Sequence, residues 1–269
     1  MTQTENLKKY FKAPRNTVTR ERIFFNRLSF DLKIAAAKAD FHLHIYEPDV
    51  DRDGFDIVTE DEGGNVRWLQ TKAVLSSVNT RKWQISGRFL RPLEDIVDRH
   101  DFASLEGGRG GGVILIEIDA ESTNGSVQYY YTDFNIIFAI SEGYLIENKI
   151  TKRGPKPKSA KDSAAEIIQN IHSNHMDLDC WIPKRLFLKL KTPEDLLGVI
   201  GYRSNIYYDS SAIHNAAAEQ ITIDENGEIE FDASLNSLGP LRYNMRMLCS
   251  CLADPPNFRS FDFLKKEVP

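Results

Sequence analysis

From Thr17 to Lys38 the apolar positions Phe25, Leu28, Leu32 and Ala35 recur at intervals of three and four residues. That is the spacing of one helix face, and it predicts an amphipathic helix whose stripe packs on a sheet. The period then changes. Residues 41–47 alternate between apolar and polar, and residues 54–60 and 66–74 read as two further strands joined by the reversal Glu62-Gly63-Gly64-Asn65. Pro92 suits the first turn of a helix running to His100. Val113 to Ile118 is a continuous apolar run, as in a strand buried on both faces, and Val127 to Tyr131 predicts another strand, followed by an apolar segment to Ile140. These elements make an α/β core spanning residues 1–150.

Beyond the core the chain changes character. Residues 151–163 form a basic linker or loop interrupted by Gly154, Pro155 and Pro157. Within residues 164–269, Ala164 to Ser173 reads as helix, Arg185 to Leu190 as strand, Ile221 to Phe231 as a hairpin about Asp224-Glu225-Asn226-Gly227, and Leu241 to Leu252 as a closing helix. This α+β extension is either a separate domain or a wrapping of the core, and only its position suggests dimerisation or target recognition. The run from Glu106 to Gly112 precedes a strand instead of joining a strand to a helix, so it lacks the context of a phosphate cradle and reads as a flexible loop.

The hairpin carries the candidate chemistry. Side chains at alternate strand positions share a face, so Gln70 and Lys72 point together while Thr71 points away and offers its backbone carbonyl. Mg²⁺ takes oxygen ligands at about 2.0–2.1 Å and keeps several waters, so one or two protein oxygens and a substrate phosphate suffice. Asp56 supplies the anionic ligand, Gln70 and Thr71 C=O supply neutral oxygens, and Lys72 can hold or deprotonate an attacking water and offset transition-state charge.

Asp56 followed across a hairpin by Gln70-x-Lys72 resembles the PD-(D/E)xK restriction-endonuclease-like nuclease superfamily over roughly the first half of the chain. The resemblance implies a restriction-endonuclease-like mixed sheet flanked by helices, with a crossover helix. It also implies Mg²⁺-dependent cleavage of DNA, with Mn²⁺ as a substitute, by a homodimeric restriction or antiphage-defence endonuclease. Asp56 takes the motif's aspartate, Gln70 its acidic position and Lys72 its lysine. Phe55 stands where the motif has proline, and Gln70 removes one negative charge from the metal site. Glu21, on the core-facing stripe of the predicted helix, matches the helix-borne glutamate of many members; the other reading is a first-turn glutamate favoured by the helix dipole. A non-catalytic nucleic-acid-binding module that keeps the fold is the alternative from another class.

A competing motif overlaps the site. Asp49-x-Asp51-x-Asp53-Gly54, with Glu60 six residues after the glycine, satisfies the calcium-loop pattern of EF-hands. Such loops sit between helices, whereas the flanks here read as strands and Pro48 stops an entering helix. The three aspartates also suit a solvated turn. Glu47 or Asp53 is within sequence reach of a second metal.

Net charge adds little. At −5, with a pI near 5.7, the chain is not basic overall, so any nucleic-acid surface must be local. Arg81, Lys82, Arg88 and Arg91 form one cluster beside the hairpin, and Trp83 within it either stacks on a base or anchors the loop in the core. Lys149, Lys152, Arg153, Lys156, Lys158 and Lys161 form a second, linker-like cluster. His172 and His175, with Asp177, Asp179 and Cys180, read as a polar helix end before a metal site. Three cysteines with no framework spacing, no signal peptide and no bilayer-length apolar run predict a cytoplasmic protein without a membrane partner.

Overall fold

The computed structural model describes residues 3–48, 54–92, 108–119, 126–148, 158–172, 179–202, 213, 222–223, 229–230 and 238–260. Helices α1 (Gln3–Lys12) and α2 (Thr17–Lys38) precede a six-stranded mixed sheet. With strands numbered along the chain, the sheet order is β1 (Leu43–Tyr46), β2 (Ile57–Asp61), β3 (Val66–Leu75), β5 (Gly112–Asp119), β6 (Ser126–Asp133) and β9 (Leu188–Lys189). Neighbours are antiparallel except β3 and β5, which run parallel.

A parallel pair requires the chain to cross over between its strands. The crossover contains β4 (Lys82–Ser86) and the short helix α3 (Gly87–Leu90). The helix expected from Pro92 to His100 falls almost wholly on residues 93–107, outside the described residues.

The β2–β3 reversal forms where the glycines predict it. Asp61 Oδ1 accepts hydrogen bonds from Gly63 N and Asn65 N at 2.9 and 3.0 Å, and Gly64 takes a left-handed φ of 78°. Alternation then sets both sheet faces. Ala73, Ile116 and Tyr129 share one face, where Tyr129 donates its hydroxyl to Asp31 of α2 at 2.7 Å. Leu115, Glu117 and Tyr130 lie on the other, where Lys184 Nζ meets Glu117 at 2.7 Å. Helix α2 buries Phe24, Leu28, Leu32, Ala35 and Ala36. The buried stripe keeps Leu28, Leu32 and Ala35 of the face read in the sequence and starts at Phe24, with Phe25 half-buried beside it.

The apolar segment after β6 is helix α4 (Phe134–Ser141), because Asp133 caps it by accepting from Ile136 N at 2.8 Å. It packs against α5 (Ala160–His172). Helix α6 (Pro193–Ile200) packs on α2; Thr192 caps it, Pro193 opens it and Gly201 ends it at φ 100°. The C-terminal region is woven into the core: β9 joins the main sheet, β8 (Asp179–Pro183) pairs with β4, and β12 (Phe258–Ser260), after α7 (Leu238–Ser250), pairs with β7 (Leu145–Glu147). The boundary near residue 150 marks a change in sequence character, not a break in the sheet. Strand β10 (Thr222–Ile223) pairs antiparallel with β11 (Ile229–Glu230), as the expected hairpin requires; its turn lies outside the described residues. Among the described residues no helix is long and apolar enough to cross a membrane.

The glycine run from Gly108 to Gly111 is a packed strap, which corrects the expectation of a flexible loop. Its amides bond to the carbonyls of Pro92, Arg88, Arg91 and Phe89 at 2.7–3.3 Å. A Cβ on Gly111 would lie 2.2 Å from the Phe89 ring, and one on Gly108 2.4 Å from Arg88 O. Close backbone approach is what requires glycine here.

Candidate active site

Asp56 sits where β2 stops pairing with β3. Its own amide still donates to Leu69 O at 3.0 Å, but the chain before it turns away through Gly54, whose φ is 79°. The next amide along β3, Thr71 N, therefore lacks a β2 carbonyl and donates instead to Asp56 Oδ2 at 2.6 Å; Thr71 Oγ1 donates to the same oxygen at 2.9 Å. Two donors on one carboxylate oxygen fix the side chain by charge-assisted hydrogen bonds. Because the N–H and C=O of a strand residue project to the same side, the Thr71 carbonyl also points to the edge that β2 has vacated. Carboxylate and carbonyl oxygens are thus neighbours at one strand edge.

Gln70 and Lys72 share the opposite face of β3 from Thr71, as alternation predicts. Their surroundings differ. Gln70 is 8% exposed, and its Oε1 is buried with no hydrogen-bond partner among the described residues. Lys72 is half-buried and lines a cleft of about 620 Å³ with Asp56, Thr71, Ala73, Ile116 and Trp83. Gln70 is not on the wall described for that cleft.

Helix α2 closes the other side. Glu21 is exposed, not core-facing as its place on the stripe suggested, yet it lines the cleft. Glu47 lines it too, ion-paired with Arg22, whose guanidinium lies 5.2 Å from the centre of the Phe25 ring. Among the described residues no three His, Cys, Asp or Glu side chains form a metal-binding group. A cation at this edge would have Asp56, Thr71 C=O and water as oxygen donors. That donor set is all oxygen and suits Mg²⁺; Gln70 Oε1, the neutral ligand the sequence suggests, is buried and without a hydrogen-bond partner among the described residues but lies off this wall.

The calcium-loop motif has other surroundings. Asp49, Asp51 and Asp53 lie outside the described residues, while Glu60 is within β2, opposite His44, and accepts a hydrogen bond from Tyr46 at 3.3 Å. The flanking elements are strands β1 and β2, not the helices of an EF-hand.

The basic cluster divides. Arg81, Lys82 and Arg88 are exposed. Arg91 is only 1% exposed and donates to Ile171 O at 2.9 Å, so its charge is withdrawn from the surface and cannot serve as a phosphate contact. Trp83 is also buried, packed edge-on against Phe187 with ring centres 5.7 Å apart; it is a core anchor whose ring borders the cleft, not an open stacking surface.

In the second cluster, residues 149–157 lie outside the described residues and Lys158 pairs with Glu166 at 2.6 Å. His175 and Asp177 also fall outside, while Cys180 is buried on β8. All three cysteines are free, and burial pushes the Cys249 and Cys251 thiols up to about 12.

Sequence reasoning missed Trp181, an indole 52% exposed at the centre of β8. The alternation of Cys180 and Ile182 inward was the available signal. Comparison with protein-family models, curated proteins and solved structures finds no match to this chain.

Proposed function

We propose that this chain is a metal-dependent nuclease with a restriction-endonuclease-like core that hydrolyses phosphodiester bonds in DNA. The observation that carries the reading is the Asp56 carboxylate, held by Thr71 at a vacated strand edge with Lys72 on the same cleft wall. The order of elements, a long helix, three antiparallel strands, a crossover and a parallel fourth strand, supports the resemblance.

A bound Mg²⁺, or Mn²⁺ in its place, would supply Lewis-acid polarisation of the phosphate and neutralise its charge. Thr71 keeps Asp56 from rotating away and presents its carbonyl beside it. Lys72, which borders the cleft, would bring a cation to the pentavalent transition state and hold the attacking water. Arg81, Lys82 and Arg88 provide exposed charge for the strand. Homodimer formation, which would allow both strands to be cut, and a role in restriction or antiphage defence follow from the resemblance.

One observation favours a second reading, a nucleic-acid-binding module without cleavage. The acidic position of the motif is an amide, Gln70, off the described cleft wall. The experiment that separates the two incubates supercoiled plasmid and linear single- and double-stranded DNA with the protein in Mg²⁺, Mn²⁺, Ca²⁺ or EDTA. Cleavage in Mg²⁺ or Mn²⁺ alone supports the nuclease; DNA binding without cleavage in any metal supports the module.

A further inference from the structure

Strands β4 and β8 form a two-stranded ribbon with two unlike faces. Trp83, Ile85, Cys180 and Ile182 point inward and are buried; Lys82, Gln84, Asp179 and Trp181 are exposed. Successive register pairs set the two tryptophans back to back, with Trp83 opposite Ile182 and Gln84 opposite Trp181. One indole borders the cleft while the other faces outward across the thickness of a single ribbon. The outward one is 52% exposed, and the Lys82 ammonium stands 4.9 Å from its ring centre. On the same face Asp179 accepts a hydrogen bond from Gln84 Nε2.

The indole is thus a half-exposed aromatic surface with a cation already arranged beside its ring. The pairing of a π-face with an ammonium group matches one ligand chemistry: a base to stack and a phosphate to neutralise. A duplex hides its base faces in the stack and can use only the cation. An unpaired strand offers both.

We infer that Trp181, with Lys82, is a stacking platform for single-stranded nucleic acid leaving the cleft, so that the substrate carries an unpaired flank. The inference rests on the nuclease reading for the origin of that strand, but not for the platform itself.

The test is fluorescence anisotropy of labelled oligothymidylate and of a blunt duplex, titrated with the full chain in EDTA so that metal-dependent cleavage is silent. Base stacking on an aromatic contributes enough that Trp181→Ala should weaken the single strand about tenfold and the duplex less than about twofold. Trp181→Phe should recover most of the loss, and Lys82→Ala should weaken both ligands. Single-strand affinity unchanged by Trp181→Ala, an equal loss on both ligands, or no binding of oligothymidylate by the wild type would overturn the platform. Its failure is distinguishable from failure of the nuclease reading: plasmid cleavage dependent on Asp56 and Lys72 can persist without the platform, and the platform can bind without any cleavage.

Discussion

Thr71 directs both its amide and its hydroxyl at a single oxygen of Asp56, at 2.6 and 2.9 Å, across the point where β2 leaves β3. The amide bond belongs to the backbone and survives substitution, but the hydroxyl bond does not. Thr71→Val keeps the shape and removes the hydroxyl donor. A bond to a charged acceptor contributes about 1.5–3 kcal/mol, so cleavage should fall about tenfold or more while the fold persists. Parallel measurements of cleavage rate and urea denaturation check this; an unchanged rate would mean that the amide alone holds the carboxylate.

Gln70 gives a metal test with a readout other than activity. Its Oε1 is buried without a partner among the described residues, so Gln70→Glu places an unpaired charge there. Without metal the variant should lose about 1–3 kcal/mol of stability or more. Mg²⁺ should then raise its Tm further than it raises that of the wild type, by linkage. A Tm insensitive to Mg²⁺ would remove Gln70 from the ligand set.

The glycine strap predicts a purely structural defect. Gly111→Ala drives a Cβ to 2.2 Å from the fully buried Phe89 ring. Overpacking of this kind costs about 1–3 kcal/mol. Phe89→Leu in the same chain should return part of that loss, and a double-mutant cycle by denaturation measures the coupling. Additive effects would show that the two positions do not meet.

Asp133 predicts a pH dependence. Burial pushes its carboxyl up to about 6, against hydrogen bonds from Ile136 N–H and Tyr131 OH and the nearby charge of Arg67. A group whose folded pKa is raised binds its proton more tightly when folded. Its contribution is therefore fully present below about pH 4 and is lost as pH rises through about 6, about 3 kcal/mol in all. Asp133→Asn keeps a capping oxygen and removes the titration, so stability between pH 4 and 6 should fall less steeply with pH than in the wild type. Identical slopes would place the titration elsewhere.

Much of the candidate site was legible because its signals are local. The period of two around Gln70-Thr71-Lys72 and the glycines at 63 and 64 specify a hairpin and its faces without reference to the rest of the chain. The anchoring of Asp56 was not legible, since a hydroxyl fifteen residues away leaves no periodic trace. The same limit hid the β4–β8 ribbon, which joins segments nearly a hundred residues apart, and with it the burial of Trp83 and the exposure of Trp181. Arg91 read as a surface cation because nothing local marks its contact with Ile171. Gly108 and Gly111 read as loop because sequence shows conformational freedom but not the close approach that uses it.

Nicking of supercoiled plasmid in Mg²⁺ by the wild type, Asp56→Ala and Lys72→Ala, each confirmed to be folded and to bind DNA, tests the central claim most directly. The account predicts cleavage by the wild type and none by either variant, with DNA affinity kept in Lys72→Ala. Cleavage that survives both substitutions, or a wild type that binds DNA and cuts no substrate in any metal, would contradict it.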